Sequence, residues 1–369
     1  MNPETSGSQE FSSFMEKTSL RSKAHRWKAG GHSLRFPVYW LLAATLFAEM
    51  AWSSPQAEQP ATPNKGAVSS AAQNSRSAGD NEHWNVLPLA ANHLRASIPL
   101  LGEKDIQPEF TRELYQVQWR RDDPIDLYIV RPAKVAKPPV ALLLYGYPST
   151  TDRFLDDAYC RSIVSRGFAA IGFVSALTGH RYHDRPMKEW FVSELPQSLG
   201  ASVHDVQMIL NYLESRSDLD MTRVGMYGQG SGGTIAILAA SNDKRIKAVD
   251  VLDPWGDWPD WIAKSPIIPE EERPALLAPG FLGSVASLDP VDWLPQLSSR
   301  PFRLQQTKFS QITPANARNR IHASLPPSAE QLIYKDVHDY EQKAILDSNI
   351  FTWLQQQLQK EDGSDQTHP

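Results

Sequence analysis

Pro139-Val-Ala-Leu-Leu-Leu-Tyr145 is a continuous apolar run of seven residues with no polar alternation. A strand of this kind belongs in the interior of a parallel sheet, where both of its faces are covered. Phe168–Ser175, Arg223–Tyr227 and Ile246–Leu252 read as further strands of that sheet. Between them lie helical segments: Asp157–Arg166, Ser202–Glu214 and Gly232–Ala240. In the second, Val203, Val206, Ile209, Leu210 and Leu213 recur at helical spacing. Upstream, Glu109–Arg120 and Ile125–Arg131 are strand-like and are separated by the turn residues Arg121-Asp122-Asp123-Pro124, a hairpin signal. Downstream, Phe302–Phe309 and Gln331–Val337 give two more strands, each followed by a helix. A hairpin followed by alternating strands and helices implies an α/β fold, with a mostly parallel sheet covered by helices on both faces.

The segment Asp253–Arg300 breaks this rhythm. It is rich in Trp and Pro and far longer than a connection of about 4–6 residues, so a cap insertion over about residues 255–300 is expected. Trp255, Trp258 and Trp261, interleaved with Asp257 and Asp260, either line a ligand pocket or form the packed face of a cap helix.

The N-terminal part has another character. Residues 1–35 form a basic segment in which Lys17, Arg21, Lys23, Arg26, Lys28 and Arg35 occur with no acidic residue among positions 17–35. The apolar run at 36–53 fits a signal-peptide core or a short membrane anchor, with Glu49 making it marginal as a span. Small residues at Ala51 and Ser53 suit a cleavage site. The expectation is export, to the periplasm or outside the cell, with the N-terminal segment as an optional membrane anchor. Residues 54–82 lack the apolar groups needed to offset ordering and read as a tether. The folded domain is expected over 83–360, and residues 361–369 are a loose end.

Composition narrows the function classes. Of 369 residues 41% are hydrophobic, below the usual globular share of about 45–50%, consistent with segments outside any core. A single cysteine excludes a disulfide scaffold, and a net charge of −5 argues against a nucleic-acid partner.

Three motifs lie after predicted strands: Leu142-Leu-Leu-Tyr-Gly-Tyr-Pro-Ser149, Arg223-Val-Gly-Met-Tyr-Gly-Gln-Gly-Ser-Gly-Gly233 and Asp336-Val-His-Asp-Tyr340. With them the sequence resembles the α/β-hydrolase superfamily from about Glu109 to Gln359, most closely the prolyl-oligopeptidase and dienelactone-hydrolase style of esterase and peptidase. The resemblance implies a G-x-S-x-G elbow that presents a nucleophilic serine. Two registers are open. With Gly228 and Gly232 as the flanking glycines, Gly230 occupies the nucleophile position, and the strand phase favours this register. Shifted by one, Ser231 is the nucleophile and bulky Gln229 fills a tight position. In the first register Ser231 is a helix N-cap.

The same resemblance assigns His338 as the catalytic base. The usual acid position, in a pattern like D-x-x-x-P, holds Ser310, and Asp253 is the substitute acid. The oxyanion hole falls to the Gly146-Tyr147 loop together with the N–H after the nucleophile. His180 and Arg181, in Gly179-His-Arg-Tyr-His-Asp-Arg185, and Trp255 and Trp258 are substrate-binding candidates. His180 and His183 are poorly spaced for a metal, and neither a metal nor another cofactor is expected. Two functions follow as expectations: hydrolysis of an ester or amide in a small molecule or peptide through Ser231, His338 and Asp253, or a catalytically inactive homologue that binds a ligand or partner in the old pocket.

Overall fold

The computed structural model describes residues 82–92, 94–120, 123–147, 151–177, 194–308, 310, 312–346 and 349–359. Among them a nine-stranded sheet runs in the order β1-β2-β3-β5-β4-β6-β7-β8-β9. Its strands are β1 (Leu100–Ile106), β2 (Phe110–Arg120), β3 (Asp123–Pro132), β4 (Pro139–Leu144), β5 (Ala169–Phe173), β6 (Asp220–Gln229), β7 (Ile246–Leu252), β8 (Phe302–Thr307) and β9 (Glu330–Tyr334). The first three form an antiparallel meander and β3 pairs antiparallel with β5. From β5 to β9 every neighbouring pair is parallel.

The apolar run that opened the sequence reading is β4, buried at every position between β5 and β6. Its alternate side chains divide between two cores. Leu142 and Leu144 face the core under α2 (Leu195–Glu214) and α3 (Ser231–Asn242). Leu143 and Tyr145 face the opposite core, with α1 (Asp157–Val164) and the C-terminal helix Asn349–Gln359. Helix α3 is buried on every side from Ser231 to Ala240, as its sequence Ser-Gly-Gly-Thr-Ile-Ala-Ile-Leu-Ala-Ala allows.

Three boundaries differ from the sequence reading. Helix α2 begins at Leu195, seven residues before Ser202. Pro196 and Gly200 hid that first stretch. The proline lies in the first turn, where its missing N–H costs nothing. At Gly200 a side chain would collide with the Trp84 backbone. Strand β1 was not expected, because its residues are almost all exposed and show no buried alternation. The third difference is at the domain start. Glu82, assigned to the tether, is buried and hydrogen-bonds Arg120 and His204. Its carboxylate closes a charged cluster beneath α2, so the fold includes it.

Between β7 and β8 the chain forms four short α-helices, α4 (Trp258–Lys264), α5 (Arg273–Leu276), α6 (Pro279–Val285) and α7 (Pro290–Trp293), with 3-10 turns at Ala286–Leu288 and Leu294–Leu297. Asp289 ties this insertion together by accepting from the N–H groups of Asp257, Trp258 and Val291. Helix α8 (Ala315–Ala323) follows β8, α9 (Val337–Tyr340) follows β9, and the C-terminal helix is α10. Among the described residues no helix is long and apolar enough to cross a membrane. The basic segment, the apolar run at 36–53, residues 54–81 of the tether and the tail at 361–369 lie outside the described residues.

Candidate functional site

The C-terminal ends of β4, β6 and β7 meet at one edge of the sheet, and the elbow stands there. Strand β6 ends at Gln229, Gly230 makes the turn, and α3 starts at Ser231. A side chain at Gly228 would strike the Gly232 backbone, and one at Gly232 would strike the Leu144 carbonyl. These two positions are therefore the tight glycines of the elbow. Gly230 between them has φ 55° and ψ −123°, a left-handed conformation that side chains rarely adopt. It is anchored by donating its N–H to the Leu252 carbonyl at 2.8 Å. A Cβ built on Gly230 would find space, 3.4 Å from Trp255 Nε1 and 3.8 Å from Gly146 Cα. The geometry fixes the register with Gly230 at the strained turn.

Ser231 is the next residue, fully buried at the first position of α3. Its Oγ accepts the Tyr147 N–H at 2.9 Å. Gly146 packs so closely on the elbow that a Cβ there would lie 2.5 Å from the Gln229 carbonyl oxygen. The Gly146-Tyr147 loop thus rests on the turn as an oxyanion loop does, but Tyr147 directs its N–H to an internal hydroxyl.

Asp253 follows β7 with φ 43°. Its carboxylate accepts the Thr307 N–H at 3.1 Å and the Thr307 hydroxyl at 2.7 Å. Burial pushes the Asp253 carboxyl up to about 6, against the Thr307 bonds that favour its charged form. His338 lies in α9 and is exposed. The structure thus places Ser231 on Tyr147, Asp253 on Thr307 and His338 at the surface; it does not join the three by hydrogen bonds. Ser310, at the family's usual acid position, accepts an Arg318 hydrogen bond through its carbonyl.

Trp255, Trp258 and Trp261 are buried to 1% exposure or less. Trp255 stacks on Trp261 with centroids 4.8 Å apart, and Trp258 meets Trp261 edge-on at 5.7 Å. The cluster, Trp258 included, is the packed inner face of the cap, one of the two arrangements the spacing allowed. Trp255 differs, because its indole N–H edge borders the space above Gly230. Left-handed backbone at Asp253 and Asp257 brackets Pro254-Trp255-Gly256, and Thr234 Oγ1 donates to the Trp255 carbonyl at 2.8 Å. These contacts hold the indole over the elbow. His180 and Arg181 lie outside the described residues.

A tyrosine cluster beside the elbow was not foreseen. Tyr145, immediately before Gly146, bonds its hydroxyl to that of Tyr159, and Tyr227 and Tyr340 approach at 3.4 Å between hydroxyls. The Arg153 guanidinium lies 3.4 Å over the Tyr145 ring. These residues come from five separate segments, so no local spacing announces them.

Residues 125–290 match the dienelactone hydrolase family, a span that includes the elbow. The fold is similar to acetyl xylan esterase 1 from Thermoanaerobacterium sp. JW/SL YS485, at TM-score 0.54 and 14% identity over 71% of this chain and 88% of that one. It is also similar to an acetyl xylan esterase from Paenibacillus sp. R4, at TM-score 0.51 and 16% identity over 70% and 90%. The Pyrococcus horikoshii acylaminoacyl peptidase aligns at TM-score 0.52 and 14% identity over 74% of this chain and 52% of that one. No curated protein matches the sequence. Sheet order, elbow and structural likeness together define the class: the fold is that of the α/β hydrolases, and residues 125–290 are similar to the dienelactone hydrolase family.

Proposed function

We propose that this chain is a hydrolase-derived, exported protein that binds a ligand or partner in the former active-site pocket and does not use a serine triad. The observation that carries this reading is Gly230. It has the backbone of the elbow and space for a side chain, and supplies no nucleophile. The neighbouring hydroxyl is buried and bonded to Tyr147, and the base and acid candidates are engaged elsewhere or exposed. Export rests on the basic flank and apolar run at 36–53. That segment supports either a cleaved leader or a membrane anchor.

A second reading is hydrolysis of an ester or amide with Ser231 as nucleophile. The match to the dienelactone hydrolase family favours it. A fluorophosphonate probe on the purified protein separates the two. Silence, together with no turnover on a panel of short-chain esters and amides, is the expected result. Labelling that Ser231→Ala abolishes would establish the hydrolase reading instead.

A further inference from the structure

Arg153 is a cation without a carboxylate partner among the described residues. It lies in the turn Asp152–Leu155 after the oxyanion loop and is half-buried. Its neighbours are the rings of Tyr145, at 3.4 Å, and Tyr159, at 5.9 Å. Elsewhere in this fold the buried guanidinium groups of Arg120 and Arg303 each meet at least one carboxylate. Taking a charge even partly out of water without a carboxylate partner is unfavourable. Burial disfavours the cation, but Tyr145 and Tyr159 outweigh it and hold the pKa of Arg153 above its ordinary value.

From this arrangement we infer that Arg153 is the anchor for a ligand carboxylate at the mouth of the old active-site pocket. The ring of Tyr145 covers one face of the guanidinium, which leaves the N–H edge for a planar, bidentate acceptor. Tyr145 and Tyr159 bring hydroxyl groups to the same place, and the Tyr145 ring meets that of Tyr227 at 6.0 Å. The surroundings are aromatic, so an aromatic carboxylate fits them better than a compact inorganic anion. The chain position ties this anchor to the elbow. Tyr145 precedes Gly146, whose Cα would lie 3.8 Å from a side chain at Gly230. The inference rests on the binding reading above and gives its ligand a chemical class.

The test is titration of the full chain with sodium benzoate by calorimetry, with ionic strength held constant by sodium chloride and with neutral benzamide as comparison. Benzoate is expected to bind at least tenfold more tightly than benzamide, and Arg153→Gln to weaken it at least tenfold. No benzoate binding, equal binding of benzamide, or unchanged affinity in Arg153→Gln would overturn the assignment. Should Arg153→Gln not fold, Tyr159→Phe keeps the cation and removes one hydroxyl; a twofold or greater loss is expected, and no loss overturns the site. The two readings fail separately. Ester turnover through Ser231 with benzoate bound would remove the non-catalytic reading and leave the anchor. Silence toward esters without benzoate binding would do the reverse.

Discussion

Ser231 Oγ accepts the backbone N–H of Tyr147 at 2.9 Å, across a gap that a hydrolase of this fold would keep open for a substrate oxyanion. One short side chain thereby satisfies a half-buried donor of the loop that rests on the elbow. Ser231→Ala should leave that N–H unpaired. Removing one partner of a buried hydrogen bond costs about 1–3 kcal/mol. Urea denaturation should show this loss with the slope unchanged, and no esterase activity should disappear with it. A variant as stable as the parent would mean that the bond contributes nothing to the fold.

The three elbow glycines should respond differently to a single methyl group. At Gly228 and Gly232 the added carbon meets backbone, which cannot move without breaking the join of β4, β6 and α3. At Gly230 it meets the Trp255 edge at 3.4 Å and Gly146 Cα at 3.8 Å, both ordinary contacts, and the penalty is the positive φ, about 1–3 kcal/mol. Gly230→Ala and Gly230→Ser should therefore fold with lowered stability, whereas Gly228→Ala and Gly232→Ala should give little soluble protein. Circular dichroism melts of all four decide the matter; equal behaviour would show that Gly230 is not the strained position. Adding Ser310→Asp to Gly230→Ser restores two residue types of the family motif. Because triad members act as a unit, any p-nitrophenyl acetate turnover should exceed the sum of the single variants.

Much of this arrangement is legible in the sequence. The apolar runs at Pro139–Tyr145 and Ile246–Leu252 could only be buried strands, and their order implied the sheet. Gly228, Gly230 and Gly232 could be counted against the strand phase, so the anomaly at the elbow was visible as a choice between two registers. What decides it is backbone contact: the collision that any side chain at Gly232 would make with the Leu144 carbonyl is a long-range fact that no local window contains. Asp253 failed to be legible for the same reason. Its partner Thr307 is 54 residues away, and nothing in Asp-Pro distinguishes that bond from a bond to His338. Strand β1 escaped because an exposed edge strand carries no burial pattern to read.

Asp253 makes stability depend on pH in a stated direction. Its carboxyl sits at about 6 in the fold against 3.8 in its ordinary state, so the folded chain holds this proton more tightly. Its contribution to folding is greatest below pH 3.8 and is lost as the pH rises through 6. The linked loss is on the order of 3 kcal/mol. Asp253→Asn keeps an acceptor for Thr307 and cannot ionise. Denaturation midpoints measured from pH 4 to 7 should therefore fall less steeply in the variant than in the parent. Parallel curves would place the titration elsewhere.

Glu82 gives the opposite sign. Burial alone would raise its carboxyl, but hydrogen bonds from Arg120 and His204 outweigh that and hold it at about 2, below its ordinary 4.5. The stabilisation is fully present above pH 4.5 and is lost as the pH falls toward 2. The same carboxylate fastens the start of the domain. Glu82 meets Arg120 through both oxygens, and Arg120 in turn meets Asp205 on α2 at 2.6 Å. Glu82→Gln would leave the buried guanidinium one carboxylate short, and breaking a buried pair in this way costs about 3–5 kcal/mol. A chain beginning at His83 removes the same carboxylate without changing any residue of the sheet. Both should lose stability by similar amounts, and the acid limb of the stability curve between pH 4.5 and 2 should flatten in both. If the chain beginning at His83 melts with the parent, the cluster is held by Asp205 and Asp123 alone, and the boundary of the fold moves back to His83.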